Sequence, residues 1–82
     1  MRLGYSYQAQ KDLEGFSREV RARILEKLNH YAQARDPLAF AKRLHDDPEG
    51  THRFEIGDWR AKFVLKTNLI WITRVRHRSK AY

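Results

Sequence analysis

Arg53-Phe54-Glu55-Ile56-Gly57-Asp58-Trp59-Arg60-Ala61-Lys62-Phe63-Val64-Leu65-Lys66-Thr67-Asn68-Leu69-Ile70-Trp71-Ile72-Thr73-Arg74-Val75 is the stretch whose reading decides the fold. Phe54 and Ile56 alternate with Arg53 and Glu55, the period of a half-buried strand. Gly57-Asp58 then has the form of a two-residue hairpin turn with glycine first. Beyond it Trp59, Ala61, Phe63 and Leu65 fall on one face, and Arg60, Lys62, Val64 and Lys66 on the other. Thr67-Asn68 marks a second tight turn, and Leu69–Val75 is apolar on both faces, as a central strand is. Three antiparallel strands in a meander follow from these residues alone.

Working back towards the N-terminus, Asp46-Asp47-Pro48-Glu49-Gly50 is a turn, and residues 37–51 form a connector with one helical turn expected over Leu38–Leu44. Val20, Ile24, Leu28, Tyr31 and Ala32 make one apolar stripe at helical spacing. Ser17 is the expected N-cap of that helix, Glu19 suits its first turn, and Asp36-Pro37 stops it. A shorter helix is expected from Gln8, with Ala9, Leu13 and Phe16 at helical spacing and Gly15 at its end. Before it, Leu3, Tyr5 and Tyr7 alternate with Arg2, Gly4 and Ser6 as a first strand. The expected fold is α+β in the order β-α-α-β-β-β. Two N-terminal helices pack on one face of a small, mostly antiparallel four-stranded sheet, because their stripes have nothing else to cover. The other face is left open, with Arg53, Glu55, Arg60, Lys62 and Lys66 on it.

The 82 residues suffice for a single domain, 1–82, with one modest core. The absence of cysteine excludes a disulfide framework and thiol chemistry. No apolar run has membrane-spanning length, and no apolar leader precedes the first strand, so a cytoplasmic protein is expected. His30, His45 and His52 lack metal-ligand spacing, so neither a metal nor a cofactor is expected. The net charge of +7 is unevenly placed. Residues 1–50 are nearly neutral, whereas 53–82 set Arg53, Arg60, Lys62, Lys66, Arg74, Arg76, Arg78 and Lys80 against only Glu55 and Asp58. Charge concentrated this way repels itself, and a polyanionic partner explains it.

Two motifs carry a resemblance. The run Arg53–Phe63 resembles the core of RelE-type toxins, and Arg74-Val75-Arg76-His77-Arg78-Ser79-Lys80-Ala81-Tyr82 resembles their histidine-arginine and terminal tyrosine ending. Ala9–Leu13 and the region of Leu44 are weaker shared features. The chain is thus identified as a member of the RelE/ParE superfamily of type II toxin–antitoxin toxins. The resemblance implies a RelE-like mRNA interferase, an endoribonuclease that enters the ribosome and cuts mRNA without metal, using the ribose 2′-OH as nucleophile. It also implies a cognate antitoxin that wraps the toxin. ParE-type members instead poison DNA gyrase, and they generally lack the arginine–tyrosine ending.

Such chemistry needs a base near the 2′-OH, cations on the phosphate and a group at the leaving oxygen. By the resemblance, Arg60 matches the phosphate-clamping arginine, Arg78 the second arginine, Arg53 a basic phosphate contact, and Tyr82 the tyrosine that orients the nucleotide. His77 is the candidate acid. Glu55 departs from the pattern, since relatives carry a lysine or arginine there. It acts either as the general base or only as an ion-pair partner of Arg60 or Arg53. Lys62, Lys66, Arg74, Arg76 and Lys80 are the expected electrostatic footing for RNA. Trp59 and Trp71 belong in or beside the core. The expected partners are an acidic antitoxin segment, the ribosome and mRNA. The alternatives are a non-enzymatic gyrase inhibitor and a catalytically decayed homologue that still binds antitoxin or RNA.

Overall fold

The computed structural model describes residues 1–81. The first strand, β1 (Arg2–Tyr5), is shorter than its alternating pattern, because Ser6 leaves the strand to cap the next element. The Ser6 hydroxyl accepts the Ala9 N–H at 3.0 Å and donates to the Thr73 carbonyl at 2.9 Å. Tyr7, expected in the strand, therefore opens helix α1 (Tyr7–Glu14) with its ring exposed. Helix α2 (Arg18–Gln33) starts at the expected cap, where Ser17 accepts the Val20 N–H at 3.2 Å. Ala9 and Leu13 of α1, with Ile24, Leu28, Tyr31 and Ala32 of α2, are buried against the sheet.

The connector holds an element that the sequence reading missed. Pro37–Phe40 forms a single 3-10 turn, and Ala41–Arg43 then pairs as a strand, β2. Three residues are too few to display a period of two, so only the partner strand reveals them. The remaining strands are β3 (His52–Ile56), β4 (Trp59–Lys66) and β5 (Leu69–His77). The sheet has five strands, not four, in the order β1-β5-β4-β3-β2. β1 runs parallel to β5, and every other pair is antiparallel. The fold is α+β, with two helices packed on one face of a mixed sheet.

Both hairpins close with two residues, as Ile56 pairs with Trp59 and Lys66 with Leu69. Gly57 has φ +57° and Asn68 φ +53°, the left-handed backbone that glycine and asparagine tolerate best. Phe54 and Phe63 stack at 4.5 Å between ring centres in the middle of the core. Leu65, assigned to the core face by its alternation, lies near the end of β4 and is exposed.

One irregularity in β5 positions the functional residues. Lys62 pairs with Arg74 and Phe63 with Ile72, leaving Thr73 as an extra residue in β5. The Thr73 hydroxyl donates to the Lys62 carbonyl at 3.2 Å. A bulge of this kind shifts side-chain parity. Ile70 and Ile72 before it and Val75 after it all face the core. In an unbroken strand, Arg74 and Arg76 would follow Ile72 inward. Among the described residues no helix is long and apolar enough to cross a membrane.

Candidate functional site

The face of the sheet away from the helices carries its charges in rows. Strand register sets Lys42 opposite Arg53, Arg53 opposite Lys62, and Lys62 opposite Arg74. A second row sets Glu55 opposite Arg60 and Arg60 opposite Arg76. Like charges directly opposite one another destabilise a sheet. Carboxylates must therefore be interleaved with these cations, and they come from three places.

The first is Glu55. Its Oε2 accepts from Arg53 Nη2 at 3.0 Å and lies 3.7 Å from Arg60 Nε and 3.5 Å from Lys42 Nζ. Burial acts to raise its pKa, but the Arg53 hydrogen bond and the charges of Arg60, Lys42 and Arg53 outweigh burial and leave it lowered. Glu55 is thus ionised at neutral pH and able to accept a proton, though weakened as a base. Arg60 is held at the adjacent turn, where Nη1 donates to the carbonyls of Gly57 at 2.8 Å and Trp59 at 2.9 Å. Its side chain is only 11% exposed. The structure brings Arg53, Glu55 and Arg60 together as the sequence reading expected.

The second source is the loop 44–51, which was expected to be only a turn. Arg76 grips Glu49 with both Nη atoms, at 2.6 and 2.7 Å. Lys62 Nζ donates to the same carboxylate at 3.1 Å and Arg74 Nη1 at 3.3 Å. The Arg76 hydrogen bonds, helped by Lys62, hold the Glu49 pKa down to about 2. Asp47 adds a contact of 2.8 Å to Lys62, and that hydrogen bond lowers its own pKa. From α1, Asp12 accepts from Arg74 at 2.8 and 3.0 Å and from the Val75 N–H at 2.9 Å.

Lys62, Arg74 and Arg76 were expected to be standing cationic footing. Instead each is paired with carboxylates, and Lys62 is only 7% exposed. The sheet face expected to be open is thus partly covered by this loop. The signal for it was present in Asp46-Asp47-Pro48-Glu49-Gly50, an acidic cluster beside the basic half of the chain.

The remaining candidates are dispersed. Arg78 and Lys80 lie on a 3-10 turn after β5, and exposed Arg78 makes a loose pair with Asp58 at 3.6 Å. Lys66 stands at the far end of β4, over the Trp71 ring at 5.1 Å. His77, the candidate acid, pairs across the strands with Trp59 on the helix-bearing side and meets its ring edge-on. Its Nδ1 accepts the Ser79 N–H at 3.2 Å as a cap, so it does not join Glu55. Tyr82 lies outside the described residues. Trp59 packs on Phe16 beside the core, as expected, with ring centres 4.6 Å apart.

Two depressions border these groups. One, of about 360 Å³, is lined by Arg43, His45, Asp47, Arg53, Lys62 and Ala81. A larger groove of about 650 Å³ runs between the end of α1 and the end of β5. Phe16, Trp59 and Val75 line it, with Lys11, Arg76 and Lys80 among its cations. Among the described residues no three His, Cys, Asp or Glu side chains gather as a metal site.

Residues 3–82 match the model of a family described as the ParE toxin of type II toxin-antitoxin system, parDE. The toxin–antitoxin complex RelBE2 from Mycobacterium tuberculosis contains a similar chain, with a TM-score of 0.79 and 24% identity over 94% of this chain and 96% of that one. A conserved hypothetical protein from Helicobacter pylori aligns with a TM-score of 0.72 and 19% identity, over 100% of this chain and 99% of that one. A copper-bound mutant toxin from Helicobacter pylori aligns with a TM-score of 0.61 and 19% identity, with the same coverage. At these identities the structures establish likeness of fold. Among curated proteins none matches significantly.

Proposed function

From the premise that the chain belongs to the family of ParE toxins of type II toxin–antitoxin systems, we propose that it acts on RNA, as a ribosome-dependent mRNA endonuclease that blocks translation. The observation that carries this reading is the Glu55 carboxylate lying between Arg53 and Arg60 on the sheet face. A phosphodiester seated there meets cations and a proton acceptor at one place. Arg53 and Arg60 bind the phosphate oxygens, for which a guanidinium offers forked donors and a permanent charge. Glu55 takes the proton of the 2′-OH as that oxygen attacks phosphorus, and the 5′-oxygen departs as a hydroxyl by taking a proton from water, leaving a cyclic phosphate. Arg78, exposed at the end of β5, stabilises the charge that develops on the phosphate. Tyr82 is the group that positions the nucleotide.

An antitoxin is the proposed protein partner. The 650 Å³ groove offers an apolar lining with Lys11 and Lys80 along it, which suits an acidic amphipathic segment. The mRNA and the ribosome are the proposed nucleic-acid partners, and the toxin works in the cytoplasm.

Primer extension on mRNA held in ribosomes tests the reading, beside an Arg60→Ala, Arg78→Ala double variant and a ribosome-free control. Cuts that need the ribosome and vanish in the double variant are the expected result. Glu55→Gln should then slow single-turnover cleavage by about 10²–10⁴-fold with RNA binding retained. Absence of cleavage where a related interferase cuts sinks the nuclease reading.

A second reading, inhibition of DNA gyrase without cleavage, is favoured by the match to a ParE toxin family model and by one feature of the site. Glu55 is engaged by Arg53, Arg60 and Lys42, which weakens it as a base. Loss of gyrase supercoiling activity with mRNA left intact would select that reading.

A further inference from the structure

The cations around Glu49 form an arrangement that the proposed reaction does not use. Three side chains from two adjacent strands converge on one carboxylate, and one of them, Arg76, binds it through two parallel donors. That fork is the geometry by which arginine holds carboxylate and phosphate alike. The cluster also adjoins the candidate site, since Arg76 is the cross-strand partner of Arg60, and Lys62 that of Arg53.

We infer that Lys62, Arg74 and Arg76 form a phosphate cradle that the chain's own Glu49 plugs in the resting molecule, and that an RNA backbone displaces the plug. This rests on the RNA-directed reading above and adds a second phosphate position one strand over from Arg53 and Arg60.

The plug sits on a loop whose base is pinned to the sheet. Leu44 donates its N–H to the Thr51 carbonyl at 2.9 Å, and Thr51 donates its own to Phe63 at 3.0 Å. Gly50 lies so close to β4 that a Cβ there would meet the Phe63 carbonyl oxygen at 3.0 Å. Between these anchors, Glu49 is held by an aspartate turn, its N–H donating to Asp47 Oδ1 at 2.8 Å. Asp46 adopts φ +54°, a conformation that costs energy for a side chain other than glycine. The exchange conserves charge at the cradle, because one anion replaces another. Without Glu49, Lys62 keeps Asp47 and Arg74 keeps Asp12, while Arg76 loses the carboxylate it grips. Loop 44–51 therefore supplies the counter-charge in the free protein and sets a threshold that only a phosphate chain engaging both positions overcomes.

The test uses the full chain and a short fluorescent single-stranded RNA, with anisotropy read across a sodium chloride series. Glu49→Gln should bind RNA several-fold tighter than the wild type. Its dependence of log affinity on log salt should be steeper by about 0.7 for each added phosphate contact. Adding Arg76→Gln to Glu49→Gln should abolish both gains.

A measurement on the unsubstituted chain guards against misfolding of the variant. The side-chain carboxyl ¹³C resonance of Glu49 should move when RNA saturates the protein, while that of exposed Glu14 stays. RNA binding that leaves the Glu49 resonance in place, or that is equal in wild type and folded Glu49→Gln, overturns this inference alone. RNA that binds neither protein overturns this inference, while the proposed function stands or falls on the primer-extension test with ribosomes.

Discussion

Single residues in this chain are tuned by neighbours distant in sequence. Asp12 shows it best, because one carboxylate accepts from Arg74 through two nitrogens and from the Val75 backbone. Asp12→Asn leaves a half-buried arginine short of its counter-charge, and the expected loss of stability is about 1–3 kcal/mol by urea unfolding. Gly4 shows the steric counterpart. A Cβ added there would lie 2.7 Å from Trp71 Cε3, so Gly4→Ala should cost about 1–3 kcal/mol as the indole is forced aside. An unchanged thermal midpoint in that variant would mean that Trp71 repacks freely. Neither role is visible in sequence, where Asp12 is one of many helix carboxylates and Gly4 one of four glycines.

At the scale of elements, the two helix caps make a controlled pair. Ser17 only accepts the Val20 N–H, whereas Ser6 accepts from Ala9 and also ties α1 to β5 through the Thr73 carbonyl. Ser17→Ala should cost about 1 kcal/mol, as N-caps do. Ser6→Ala should cost about 1 kcal/mol more, since a second hydrogen bond goes with it. Equal losses in chemical denaturation would show that the Thr73 contact contributes nothing. The Ser17 cap, the α2 stripe and the β3–β4–β5 meander were legible because each is written in local chemistry or in a period of many residues. Ser6, by contrast, read as a strand residue and shows its capping role only in the fold. Strand β2 was not legible either, because Ala41–Arg43 becomes a strand only by pairing with Phe54, Arg53 and His52.

The whole molecule balances a basic sheet face against a few carboxylates, and its stability should depend on pH accordingly. Glu49 has its pKa lowered to about 2 in the folded state, while Asp47 and Glu55 are lowered as well. A depressed folded-state pKa contributes stability that is fully present above the unfolded value and lost as pH falls through the folded one. Stability should therefore decline between about pH 4.5 and pH 2, the ordinary and lowered values for Glu49. Glu49→Gln should flatten that decline in thermal melts taken across the range. An acid limb of the same steepness in both proteins would show that the carboxylate is not the group responsible.

By itself the sequence determined the fold class, the chain order of helices and meander, and the strand face on which Arg53, Glu55 and Arg60 stand. These follow from local periods, turn residues and proline, which act over a few positions. Only the tertiary structure decided where Arg74 and Arg76 point and what meets them. Continued alternation after Ile70 and Ile72 would turn both arginines into the core, and the bulge at Thr73 turns them out. The same holds for Glu49, which reads as a turn residue until the loop lays it against cations of two other strands. Parity shifts and loop placement are settled by cross-strand pairing and by burial of charge, interactions between residues distant in the chain, and no local pattern records them.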